Sequence, residues 1–228
     1  MATYAIGDIH GCAQTLHALI DQLKLKKKDH LVLVGDYVDR GPDSKGVFDL
    51  IFTLQKKGYQ VQCIRGNHEQ ILLRAISGGA SDRNLFRSAG GKATVESFGV
   101  EKLSQIPKKY LDFMRELPYY YQTSKYIFVH GGLEFRDGNP LLHEEDMLWK
   151  RYWYKEIDYK WLGKRLIIHG HTPTPVEVAE LQMENIRNWN DQVLNLDTGC
   201  VYHTRPDMGI LTAVNLKEMT LITQEYVG

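Results

Sequence analysis

Three times before residue 70 a short strand-like run stops at a glycine-bounded polar cluster, and each cluster leads into a helical pattern. Thr3–Ile6 ends in Gly7-Asp8-Ile9-His10-Gly11. His30–Val34 ends in Gly35-Asp36-Tyr37-Val38-Asp39-Arg40-Gly41, and Tyr59–Ile64 ends in Arg65-Gly66-Asn67-His68-Glu69. An apolar run with β-branched residues reads as a strand buried on both faces. Leu16, Leu19, Ile20 and Leu23 follow at helical spacing, as do Val47, Leu50, Ile51 and Leu54, then Ile71, Leu72 and Ala75. Strand and helix in strict alternation predict a parallel sheet with right-handed crossovers. Such sheets gather their ligand sites at the C-terminal strand tips, where all three polar clusters fall.

The rest of the chain extends that frame. Asp43 or Ser44 is positioned to cap the helix that Gly58 stops. Ser77 to Leu117 reads as a helical excursion beside the site, with a clear helix over Pro107–Leu117. Tyr119–Thr123 and Lys125–Val129 read as a hairpin ending in His130-Gly131-Gly132. A helix covers Glu144–Trp149, and the strand Arg165–Ile168 ends in His169-Gly170-His171-Thr172. Alternation in the tail predicts strands over Val176–Glu180, Met183–Arg187, Gln192–Asp197, Met208–Leu216 and Met219–Tyr226. The fold class expected is α/β: two mixed β-sheets packed as a central sandwich, flanked by helices, in one domain spanning 1–228.

Composition narrows the partners. Lys and Arg total 28 and so do Asp and Glu, so net charge gives no pull towards polyanions. No apolar stretch is long enough to cross a membrane, and the N-terminus enters a strand without a basic leader. Cys12, Cys63 and Cys200 are an odd number without framework spacing. They read as reduced thiols of a cytoplasmic protein. No Cys-x-x-Cys pair offers a thiolate zinc site.

Five strand tips then carry Asp8 and His10, Asp36, Asn67, His130, and His171. Carboxylate, imidazole and amide oxygen together suit Mn²⁺, Fe²⁺ or Zn²⁺. These are too many ligands for one four-coordinate zinc. Two cations sharing a carboxylate, the arrangement that clamps an in-line displacement at phosphorus, fit better.

These motifs, in this order from about residue 4 to residue 172, resemble the signature set of the phosphoprotein phosphatases. Those are metal-dependent Ser/Thr phosphatases of the metallophosphoesterase superfamily, and the resemblance is to their compact bacterial and bacteriophage branch. The resemblance implies that Asp8 and His10 hold one metal, that Asp36 bridges, and that Asn67, His130 and His171 hold the other. Mn²⁺ is the first expectation, with Fe²⁺ or Zn²⁺ as alternatives. It implies His68 as the acid that protonates the leaving oxygen, with Asp39 behind it fixing the tautomer. Arg40 would grip phosphate oxygens. Arg151, in Leu148-Trp149-Lys150-Arg151, is the choice for a second phosphate arginine, in a looser motif. The implied reaction is direct attack by a metal-bridging hydroxide on a phosphomonoester of a phosphorylated protein or peptide. The alternative is hydrolysis of symmetric dinucleoside tetraphosphates, whose enzymes typically depart from the second Asp of Gly-Asp-x-x-Asp-Arg-Gly and from Gly-Asn-His-Glu. This chain keeps Asp39 and Glu69. A metal-binding scaffold without turnover would lack a ligand or the acid, and none is missing.

Smaller features admit blander readings. Glu69 is expected to cap or salt-bridge its own helix, and His169 and Asp197 to be structural or to support the ligands. Aromatic and basic residues interleave over 149–165, which suits base stacking or ordinary packing. Arg83, Arg87 and Lys92 are candidates to line the approach of substrate.

Overall fold

The computed structural model describes residues 1–136 and 138–228. Strands β1 (Thr3–Ile6), β2 (His30–Leu33) and β3 (Gln60–Cys63) alternate with helices α1 (Ala13–Leu23), α2 (Ser44–Lys56) and α3 (Asn67–Ser77). β1, β2 and β3 pair in parallel. Two late strands, β8 (Ile210–Asn215) and β9 (Thr220–Glu225), add antiparallel edges and complete a sheet of order β3-β2-β1-β8-β9. A second sheet has the order β4-β5-β6-β7, formed by Tyr120–Gln122, Tyr126–Val129, Leu166–His169 and Val193–Asn195. Its first pair is antiparallel and the others parallel. Both sheets are mixed, and helices flank them, as the sequence patterning leads one to expect.

Why the strands read as unbroken apolar runs is visible side chain by side chain. Successive residues of a strand point to opposite faces. Leu31 and Leu33 join a core with α1 and α2, while Val32 and Val34 join a core between the sheets. In the second sheet, Phe128 and Ile168 face inward, whereas Ile127, Val129 and Ile167 pack outward against Trp153 and Leu162. The central strand positions are apolar on both faces because there are three cores in line and each sheet separates two of them. The free cysteines Cys12, Cys63 and Cys200 are all buried.

Between α3 and β4 lie α4 (Ala80–Ser88), α5 (Gly91–Ser97) and α6 (Lys108–Glu116). They pack on α2 and α3 through Phe86, Phe98, Tyr110 and Met114, all buried. After β5 come α7 (Glu144–Trp149) and the short α8 (Tyr159–Leu162).

One expectation fails. Val176–Glu180 and Met183–Arg187 are not strands but a single helix, α9 (Val176–Arg187). The apparent alternation arose from Val176 and Val178, two residues apart, of which Val178 is exposed. The residues that bury are Ala179 and Met183, with Ile186 packed behind them, at i, i+4 and i+7. The tail thus contributes three strands rather than five. Among the described residues no helix is long and apolar enough to cross a membrane.

Candidate metal centre at the strand tips

The C-terminal tips of β1, β2, β3, β5 and β6 converge. Asp8, His10, Asp36, Asn67, His130 and His171 are all at most 5% exposed. Two glycines explain how backbones come so close. A Cβ on Gly66 would lie 2.2 Å from Asp36 Oδ1, and one on Gly170 would lie 2.0 Å from Asp8 Oδ1. Only glycine fits such approaches.

The donor atoms form two groups around Asp36. Asp36 Oδ1 lies 3.3 Å from His130 Nε2, which in turn lies 2.9 Å from Asn67 Oδ1. His171 Nδ1 is also 2.9 Å from Asn67 Oδ1. On the other side, Asp36 Oδ2 is 3.5 Å from His10 Nε2 and 4.0 Å from His68 Nε2. Donors from Asp36, His130 and His171 are mutually close enough for one cation, and so are those from His10, Asp36 and His68. Asp36 belongs to both groups. Asp8 belongs to neither: both its oxygens accept the amide of His171, at 3.1 and 3.0 Å.

Tautomers follow from the outer nitrogens. His10 Nδ1 faces Val38 O and His130 Nδ1 faces Val34 O, each at 2.9 Å. Both Nδ1 atoms therefore donate, and both Nε2 lone pairs turn inward. The His130 lone pair then meets the oxygens of Asn67 and Asp36, which repel it unless a proton or a cation lies between. Burial alone would depress His130, but the carboxylates of Asp36 and Asp8 outweigh it and push the imidazole up to about 10. A place that attracts a proton this strongly attracts a divalent cation, which would displace it. Burial, neighbouring His68 and Arg40 hold His10 well below its usual range, and burial with His130 holds His171 down to about 2. Neutral imidazole is the ligand form. His171 Nε2 is buried without a hydrogen-bond partner. Burial raises Asp8, with Asp197 and Asp36 adding to the effect. Acids crowded against one another in this way want a counter-cation. The residues fit divalent metals.

Around this centre sit the groups that would handle substrate. His68 Nδ1 is 2.7 Å from Asp39 Oδ2, so Nδ1–H donates to the carboxylate and Nε2 faces the centre. Arg40 Nη1 hydrogen-bonds His10 Nε2, and its guanidinium lies 5.6 Å from the ring centroid of Tyr202. Arg151 is exposed and donates to Thr172 Oγ1 at 3.1 Å, beside His171. Arg40 thus sits against the His10 group and Arg151 beside the His171 group.

Backbone strain concentrates here. Non-glycine residues with positive φ include His10, Asp36, Asp39, Arg40 and His171, five of nine among the described residues. Left-handed conformations cost such residues energy and persist where the surroundings impose them. Glu69 supplies much of that imposition. Its carboxylate accepts the amides of Gly66, Asp36, Tyr37 and Val38 between 2.8 and 3.2 Å. It caps its own helix, as expected, and also knits the β2 loop to it. Tyr37 adds a phenol O–H to Ile64 O at 2.8 Å.

Other side chains behave more blandly. His169 lies between Tyr154 Oη and Gly170 O, at 2.6 and 2.9 Å, and burial holds it down to about 4. Asp197 accepts the Gly199 amide at 3.1 Å. Within 149–165, Trp153 is core and donates to Gly131 O, whereas Tyr152 is 87% exposed. Arg83, Arg87 and Lys92 line a groove of about 670 Å³ with Phe86, Val95 and Leu103. Their partners are Gly78 O, Asn84 and Glu96, all within the α3–α5 segment. Thr94, which no motif marks, reaches Asp39 from α5.

Comparison with known proteins follows this geometry. The family model of the calcineurin-like phosphoesterases matches residues 1–205. A bis(5'-nucleosyl)-tetraphosphatase PrpE (asymmetrical) of Oceanobacillus iheyensis is 27% identical over 96% of this chain and 90% of its own length. A symmetrical bis(5'-nucleosyl)-tetraphosphatase of Dechloromonas aromatica is 36% identical, over 58% of this chain and 44% of its own. Among solved structures, a protein serine/threonine phosphatase of Saccharomyces cerevisiae superposes with a TM-score of 0.66 at 17% identity, covering 100% of this chain and 81% of that one. The last likeness is one of fold.

Proposed function

This chain belongs to the calcineurin-like phosphoesterase family, and from that premise we propose that it hydrolyses the polyphosphate bridge of dinucleoside tetraphosphates. The observation that carries the reading is the placement of Arg40 beside His10 and Arg151 beside His171. A guanidinium beside each donor group suits a ligand with several phosphates in a row. Relatives that span nearly the whole chain carry that activity in their names.

Two divalent cations would be held by Asp8 and His10 on one side and by Asn67, His130 and His171 on the other, with Asp36 shared. Mn²⁺ is placed first because all donors are oxygen or imidazole nitrogen. When bound, such cations lower the pKa of water and draw charge from phosphate oxygens. The chain's own residues do the rest. Arg40 and Arg151 orient the phosphates, His68 delivers a proton to the leaving oxygen from Nε2, and Asp39 keeps Nδ1 protonated.

That last pair favours a second reading, hydrolysis of phosphoserine or phosphothreonine esters. A phosphate leaving group barely needs protonation, whereas a serine alkoxide does. The buried His68–Asp39 pair is the equipment for the harder case.

One comparison decides. With Mn²⁺ present, kcat/KM is measured on diadenosine tetraphosphate and on phosphoserine, phosphothreonine and phosphotyrosine peptides. The tetraphosphate is expected to lead, and Arg151→Ala to raise its KM more than that of the peptides. A lead for the serine or threonine peptides replaces the first reading with the second, and turnover of none of them rejects both.

A further inference from the structure

Asp39 is fully buried, so each of its carboxylate oxygens needs a partner. Oδ2 has His68 Nδ1–H. Oδ1 has the hydroxyl of Thr94, which donates to it at 2.6 Å. The same hydroxyl oxygen accepts the Asp39 amide at 2.9 Å. Ser44 Oγ backs the pair, 3.2 Å from that amide and 3.3 Å from Thr94 Oγ1. Thr94 is itself fully buried, in α5, 55 residues along the chain from Asp39. One residue on, the Arg40 amide donates to Gly90 O, the residue that precedes α5, at 3.1 Å. Asp39 and Arg40 are successive left-handed residues, with φ of 71° and 70°. Both are therefore held from α5 and the residue that caps it.

We propose that Thr94 is a positioning residue for proton delivery by His68, acting through Asp39. Its O–H anchors one edge of the carboxylate, which presents the other edge to Nδ1 and leaves Nε2 of His68 aimed at the centre. The inference rests on the reading of His68 as proton donor to an ester leaving group. In that step the bond from phosphorus to the leaving oxygen breaks, and that oxygen keeps the electron pair and takes the Nε2 proton. Water supplies the hydroxyl that joins phosphorus, and its remaining proton restores His68.

Thr94→Val removes the hydroxyl and keeps the shape; Thr94→Ser keeps the hydroxyl. Each is assayed with Mn²⁺ on a phosphoserine peptide and on p-nitrophenyl phosphate, whose leaving group hardly needs a proton. Thr94→Val is expected to lower kcat on the peptide roughly 10- to 100-fold, with KM little changed and a much smaller loss on the aryl ester. Thr94→Ser is expected to restore the peptide rate. The ratio of the two rates does not depend on how much of a sample is folded, so a destabilised variant still reports. Equal losses on both esters, or a wild-type ratio in Thr94→Val, overturn the inference.

A second measurement is independent of turnover. In metal-free protein, the low-field Nδ1 proton of His68 is identified by its loss in His68→Asn. It should persist in Thr94→Ser and shift or vanish by exchange in Thr94→Val. An unchanged resonance in Thr94→Val overturns the proposal even if wild-type protein hydrolyses neither ester, an outcome that would count against the hydrolase reading alone.

Discussion

The β2 loop and α5 meet at Asp39, and they arrive there differently. The loop comes straight off a strand whose side chains alternate between two cores, so its direction is set by Leu31, Val32, Leu33 and Val34. α5 arrives from a segment of short helices that packs on α2 and α3 and owns no strand. In the proposed mechanism the first region carries the reacting groups and the second carries what steadies them. A rigid sheet suits the former, because ligand atoms must hold their spacing to fractions of an ångström. The latter needs only one hydroxyl and one carbonyl in the right place, and a small helix suffices.

This division can be broken most forcefully at Asp36. Asp36→Asn removes the one carboxylate common to both donor groups. Both cations should be lost and turnover should fall to background; unchanged metal content by elemental analysis would mean that Asp36 is not shared. His68→Asn should be gentler, because no proposed ligand is removed. A loss of about 10² to 10⁴-fold is expected on an alkyl phosphate and far less on p-nitrophenyl phosphate, with metal content kept. Wild-type rates on the alkyl ester would remove His68 from the mechanism. The smallest effect is expected at Arg83, in α4. Arg83→Ala should shift stability by about 0.5 kcal/mol or less and leave kcat/KM on both substrate classes in place. A clear rise in KM would show that the helical segment lines the path of substrate after all.

The same two regions differ in how far they could be read beforehand. The convergence of Asp8, His10, Asp36, Asn67, His130 and His171 was legible because each stands beside a glycine at the end of a strand, and a tip residue can only point where its strand ends. The sandwich was legible for the same reason, since unbroken apolar strands need cover on both faces. α9 was misread because Val176 and the exposed Val178, two residues apart, imitate a strand's alternation. Glu69 had a faint signal, three residues after Gly66 at the position of a capping acid, but nothing marks its reach to Tyr37 and Val38. Thr94 had none. Its contact with Asp39 is set by tertiary packing of α5, and a lone threonine in a Gly- and Ser-containing stretch looks like any other.

The positive φ angles at His10, Asp36, Asp39, Arg40 and His171 also govern which substitutions can be interpreted there. Asparagine and aspartate tolerate the left-handed region far better than alanine, valine or leucine. Asparagine replacements at Asp36, Asp39, His10 or His171 therefore delete a charge or a ring and keep the local path of the chain. Alanine replacements at the same positions change chemistry and backbone together, and a conventional alanine scan of this loop set would credit to catalysis a loss that belongs partly to conformation.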